Sequence, residues 1–145
     1  MWGSLHRVRR VLIADDNRRV NDLIRVFLSQ RSDLEVLAQT VDGPETIYAA
    51  LQIRPDLIIL DVVMPGLNGI EVASVLRERL PDAKTILFTM YDDHVGKRLA
   101  ECAGVDVVLP KVNGLSALSK AVDDLFGAAD PVQTLTPVLD PQSPQ

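Results

Sequence analysis

A chain of 145 residues with 47% hydrophobic and 24% charged side chains is long enough for one domain with a substantial core and too short for two ordinary ones; its composition is globular. A net charge of -5 argues against a general nucleic-acid surface, which needs clustered Lys and Arg. Cys102 is the single cysteine, which excludes an internal disulfide and fits a reducing compartment.

Residues 1–7 carry no periodic pattern and are expected to be a lead-in. Arg7, Arg9 and Arg10 precede an apolar run, as in a signal peptide, but Val11 to Ala14 is far too short for one and is cut off by Asp15 and Asp16. No stretch approaches spanning length, so no membrane contact and a cytoplasmic location are expected. Val11 to Ala14 reads as a first strand. Asn17 then caps a helix running to Gln30, with Val20, Leu23, Ile24, Phe27 and Leu28 on one face. Leu34 to Thr40 reads as a weaker second strand, interrupted by Glu35 and Gln39, which suits a sheet edge.

Gly43 and Pro44 open a second helix buried through Ile47, Ala50 and Leu51. Leu57 to Leu60 is a continuous apolar run, the mark of a strand covered on both faces of a parallel sheet, and it delivers Asp61 at its carboxyl end. Pro65, Gly66, Asn68 and Gly69 turn the chain into a third helix, with Ile70, Ala73 and Leu76 inward, which stops before Pro81. Thr85 to Phe88 forms a fourth strand leading into Thr89. Asp92 or Asp93 begins a fourth helix with Val95, Leu99, Cys102 and Ala103 on one side and Gly104 as its stop. Val105 to Pro110 leads into Lys111, and Leu115, Leu118, Val122, Leu125 and Phe126 define a fifth helix.

Strand and helix alternate five times over residues 8–127, which predicts an α/β domain: a doubly wound, five-stranded parallel sheet with five helices on its two faces and right-handed crossovers. Residues 128–145 contain Pro131, Pro137, Pro141 and Pro144 without a recurring apolar face and are expected to be a disordered tail.

In an open α/β sheet, ligands bind at the carboxyl ends of the strands. If the first and third strands are neighbours, Asp15, Asp16 and Asp61 gather at one corner, where repulsion raises a pKa or demands a cation. A hard divalent ion with oxygen ligands answers that demand, and Mg²⁺ suits a few carboxylates with waters and a phosphate. Thr89 adds a hydroxyl donor and Lys111 a cation. Singly, each has a blander explanation: a loop-capping Asp, a helix N-terminal charge preference, β-propensity, a solvated lysine. Their convergence at strand ends favours a site. His6 and His94 lie far apart and outside any ligand spacing. Cys102, on an apolar helix face, is expected to be an inert packed thiol, while Trp2 and Tyr91 are candidates for partner contacts or simple exposure.

Asp15-Asp16, Asp61, Thr89 and Lys111, with Pro65 and Gly69 after Asp61, resemble the receiver domain of two-component response regulators, from Val8 to about Gly127. The resemblance implies the flavodoxin-like strand order 2-1-3-4-5 and a phosphoacceptor rather than a turnover enzyme. Asp61 is then the nucleophile that takes a phosphoryl group from a sensor histidine kinase or a histidine phosphotransfer protein. Mg²⁺ would be held by Asp16 directly, Asp15 directly or through water, Asp61 and the backbone carbonyl of Val63. Thr89 would bond a phosphoryl oxygen, and Lys111 would pair with Asp61 and then with the phosphate. Output is expected through a downstream protein target, with helix four, strand five and helix five as the family's partner and homodimer face and no nucleic-acid contact by this domain.

The sequence departs from the family at three places. Val108 stands where many receivers carry an aromatic that rotates on activation. Pro110 precedes Lys111 and Val112 follows it, whereas the family favours proline after the lysine, often cis; a trans bond is expected here, and Pro110 suits an edge strand. Met90 replaces a small residue and narrows access to the phosphate, although Met90-Tyr91-Asp92-Asp93 resembles receivers joined to helix-turn-helix domains.

A single-domain response regulator is the expected function. Its alternatives are the receiver of a DNA-binding transcription regulator whose output domain is missing, and a receiver that works without phosphorylation. An aspartate-nucleophile phosphatase is disfavoured because Val63, two residues after Asp61, cannot serve as an acid.

Overall fold

The computed structural model describes residues 7–90 and 94–127. The lead-in up to His6 with Trp2, the helix start at Asp92 or Asp93, Tyr91 and the tail 128–145 lie outside the described residues, as do the side chains of His94 and Val95. Chain order is β1 (Arg9–Ala14), α1 (Arg18–Ser29), β2 (Leu34–Thr40), α2 (Gly43–Ile53), β3 (Leu57–Leu60), α3 (Gly69–Arg79), β4 (Lys84–Thr89), α4 (His94–Cys102), β5 (Val107–Pro110) and α5 (Gly114–Phe126). The strands are all parallel in the order β2-β1-β3-β4-β5, the doubly wound arrangement expected. β2 and β5 are the two edges, which accommodates the polar residues of one and Pro110 of the other. A bulge between Val11 and Leu12 shifts the β1 to β2 register.

Side chains alternate across each strand, and the core divides accordingly. Leu12, Ala14, Ile58, Leu60 and Leu87 face α2, α3 and α4, meeting Ala50, Val72, Leu76 and Ala100. Val11, Ile13, Leu57, Ile59, Ile86 and Phe88 face α1 and α5, meeting Ile24, Leu28, Leu118 and Val122. The central strand β3 is fully covered, with Leu57 to Leu60 no more than 1% exposed.

Capping fixes where the helices begin. Asn17 accepts from the amides of Arg19 and Val20, Asp42 from that of Glu45, and Asn68 closes a reciprocal capping box with Glu71. Two side-chain clasps hold α5. Arg31, at the turn after α1, donates to Asp33, Asp123 and Ser119, and the guanidinium of Arg9 stacks 4.6 Å from the ring centre of Phe126.

Two expectations need correction. The inward seam of α4 is not the line through Leu99 and Cys102: Leu99 is 55% exposed, Cys102 is exposed, and Ala100 is wholly buried. Ala100 takes the inward position, in the cluster with Leu76 and Leu87, and the bulkier Leu99 and Cys102 are turned outward. Cys102 is therefore not a packed thiol. β5 is also shorter than the apolar run that suggested it, since Asp106 turns the chain at Val105 and Asp106, bonding Thr85 through both backbone and side chain. Gly104, at φ +91°, ends α4 as expected. No described peptide bond is cis, so Val112 follows Lys111 in trans.

Candidate functional site

Pairing of β1 with β3 sets Ala14 beside Leu60, and the next residue of each strand is an aspartate. Asp15 and Asp61 are thereby forced together, tied by the bond from the Asp61 amide to the Ala14 carbonyl at 2.9 Å. Both are buried, Asp15 at 2% exposure and Asp61 at 8%, whereas Asp16 is exposed. One carboxylate oxygen from each of Asp15, Asp16 and Asp61 lies within 4.8 Å of the others.

Lys111 reaches this corner from β5 through a single 3-10 turn, Lys111–Asn113. Its Nζ lies 2.7 Å from Asp15 Oδ2 and 3.3 Å from Asp61 Oδ2. The sequence pointed to a pair with Asp61; the shorter contact is with Asp15. Thr89 ends β4, next to β3, and is buried at 1% exposure. Val63 follows Asp61 by two residues and is half exposed.

The second oxygen of each buried aspartate is also held. Asp15 Oδ1 accepts the Asn17 amide at 2.9 Å, and Asp61 Oδ1 accepts the Val62 amide at 2.8 Å. At Asp61, burial and the neighbouring charge of Asp15 raise the carboxyl pKa, against the opposing pull of Lys111. At Lys111, burial works to lower the ammonium pKa, but the bond to Asp15 and the charges of Asp61 and Asp15 outweigh it, and the net shift is upward. The corner therefore holds more negative charge than its one lysine neutralises.

Those donors fit a hard divalent ion. They are all oxygen, and opposite ligands of one octahedral Mg²⁺ stand about 4.2 Å apart at metal–oxygen distances of about 2.0–2.1 Å, close to the observed spread. Asp15, Asp16 and Asp61 would be the side chains that hold it.

Two supports of this corner escaped the sequence reading. Asn21, 2% exposed on α1, donates to the carbonyls of Asp15 and Thr40 and accepts from Gln39, locking the turn that carries Asp15. The spacing of Asn21, Ile24 and Leu28 on the buried face was the available signal. Gly69 begins α3 directly over Asp61: a Cβ there would lie 2.1 Å from the Asp61 carbonyl oxygen.

Residues 11–123 match the family model of the response regulator receiver domain. The chain belongs to that family. Response regulator protein VraR of Staphylococcus aureus is 32% identical over 113 residues, which cover 78% of this receiver chain and 54% of VraR. The chain spans about half the length of the curated relatives it matches. The receiver domain of AraT, a response regulator from Geobacillus stearothermophilus, superposes with a TM-score of 0.73 at 32% identity, covering 81% of this chain and 92% of that one. The response regulator domain of Thermotoga maritima CheB, at 22% identity and TM-score 0.74, shares the fold over 93% of this chain and all of its own. Among the described residues of this receiver, no helix is long and apolar enough to cross a membrane.

Proposed function

We propose that this receiver accepts a phosphoryl group on Asp61 from a sensor histidine kinase or a histidine phosphotransfer protein, and that the modified form binds a downstream protein target differently. The observation that carries this reading is the corner itself, where one ammonium bridges Asp15 and Asp61 beside a third carboxylate. A bond forms between phosphorus and a carboxylate oxygen of Asp61 as the phosphorus–nitrogen bond of a phosphohistidine breaks, its electron pair leaving on the imidazole. Asp61 Oδ1 accepts from the Val62 amide and Oδ2 faces Lys111, so the carboxylate is oriented at both oxygens before transfer.

Mg²⁺, bound by Asp15, Asp16, Asp61 and the Val63 carbonyl, supplies neutralisation of charge on the phosphoryl oxygens. Lys111 turns from the aspartates to the phosphate, and the Thr89 hydroxyl bonds another phosphoryl oxygen. Output passes through the face of α4, β5 and α5, where Leu99 stands 55% exposed; a homodimer on that face and a cytoplasmic setting belong to the same proposal. With Val108 on β5, the shift between two states runs through α4 and its flanking loops.

The test is intact mass after incubation with Mg²⁺ and a small phosphodonor. One added phosphate on the wild type and none on Asp61→Asn supports the reading; modification of both, or of neither, overturns it. A second reading, the receiver of a longer DNA-binding regulator, is favoured by the greater length of VraR. A transcript that reads on past residue 145 into a helix-turn-helix would establish it.

A further inference from the structure

We propose that the cavity beneath the first turns of α4 is a binding site for a small apolar carboxylate. The cavity measures about 270 Å³ and lies between the loop after β3, α3, the sheet and α4. Val62 and Val63 form one wall, Ile70 and Leu87 the floor, and Val108 closes the side along β5. On α4 it meets Gly96, which has no side chain, and Lys97. Gly96 and Val108 are both small, and neither fills the space.

Its chemistry selects the occupant. The walls contributed by the sheet, α3 and the β3 loop are aliphatic, which favours an apolar body. An apolar cavity of about 150 Å³ accepts benzene, and about 270 Å³ therefore suits a two-ring arene. Among the described residues Lys97 is the one charged residue of the lining; it is exposed and forms no ion pair with any of them. Its alkyl stem can lie along the apolar rim while the ammonium meets an anionic head group. A hydrophobic acid satisfies both features, whereas a polar metabolite or a neutral hydrocarbon satisfies only one.

The site adjoins the acidic corner. Val62 donates its amide to Asp61 Oδ1 and accepts from Gly69 at 2.8 Å, so an occupant packed on Val62 presses on the segment that holds the Asp61 carboxylate. Binding itself does not depend on phosphorylation and is tested without it.

The experiment is an amide-resolved NMR titration of the full chain with 2-naphthoate, and in parallel with the neutral 2-naphthalenemethanol. Naphthoate should shift the amides of Val62, Val63, Leu87 and Val108 saturably, and the alcohol should bind roughly fivefold more weakly, the worth of one exposed charge pair. Lys97→Met should erase that preference while retaining binding. Val108→Phe enlarges a lining side chain, and Val108→Trp enlarges it further; each should abolish binding of both probes in a protein whose spectrum keeps its dispersion. Absence of saturable shifts at those amides in the wild type overturns the site, as does binding that survives in either enlarged variant. Equal affinity for acid and alcohol in the wild type overturns the assignment to a carboxylate.

Discussion

Lys111 Nζ sits closer to Asp15 Oδ2, at 2.7 Å, than to Asp61 Oδ2, at 3.3 Å. The lysine thus serves as the resident cation of the acidic corner and competes with a divalent ion for the same oxygens. Removing it as Lys111→Ala should cost the metal-free protein about 1.5–3 kcal/mol, the worth of a charged hydrogen bond, by leaving two buried aspartates without a counter-charge. Added Mg²⁺ should then raise the melting temperature by more than it does in the wild type. Melting curves with and without Mg²⁺ check this; a smaller metal-induced rise in the variant contradicts it.

Neutralising Asp61 should act in the opposite direction. Its pKa is raised by burial and by Asp15, which means the folded state binds the proton more tightly than the unfolded one. The associated stability is fully present below the ordinary value of 3.8 and is lost as pH rises through the elevated one. Asp61→Asn should therefore stabilise the metal-free protein at neutral pH by on the order of 1 kcal/mol, while weakening its response to Mg²⁺. Chemical denaturation at pH 7 with chelator present measures the first effect, and divalent titration the second.

The clasp between α1 and α5 has its own pH signature. The bond from Arg31 holds the Asp33 carboxyl below its ordinary 3.8, against the effect of burial. A lowered carboxyl pKa contributes stability that is present above 3.8 and is lost as pH falls through the depressed value. Arg31→Ala should cost about 1.5–3 kcal/mol at pH 7 and flatten the acid side of the stability profile. Urea midpoints at pH 7 and near pH 3 separate the two proteins; parallel profiles would remove this role from Arg31.

At Gly69 the contact is with backbone rather than a movable side chain. The methyl of Gly69→Ala meets the Asp61 carbonyl oxygen, and α3 must shift away from β3. A loss of about 1–3 kcal/mol or more is expected from such overpacking, together with a weakened divalent response because Asp61 moves with its backbone. Thermal melts in Mg²⁺ and in chelator report both.

Asn21→Ala removes the donor that holds the Asp15 carbonyl. A buried acceptor left unsatisfied costs about 1–3 kcal/mol, and divalent affinity should fall although no proposed ligand is changed. Asn21→Asp, which keeps the shape but not the donor, should lower affinity as well; unchanged Mg²⁺ binding in both would confine Asn21 to a structural part.

The strand ends were legible in the sequence because each apolar run stops at a residue whose chemistry is unlike the run itself: Asp15, Asp61, Thr89 and Lys111. Parallel pairing then brings Asp15 and Asp61 together without further information. The preference of Lys111 for Asp15 was not legible, since it depends on a turn joining groups 96 residues apart. The α4 seam was misread for a different reason. Leu99 and Cys102 advertise an apolar face, but the wholly buried position belongs to Ala100. Asn21 was overlooked because an amide on a buried helix face looks like an interruption until the carbonyls of Asp15 and Thr40 are seen beside it.

Where Arg9 lies over Phe126 also decides how the molecule can be wired. Arg9 opens β1 and Phe126 closes α5, so the chain leaves the domain at the pole opposite the aspartates, about 20 Å away for a six-residue strand. Gly127 therefore stands remote from the reactive carboxylates. Loosening that stacked cation alters the far pole while leaving the contacts of the reactive carboxylates untouched.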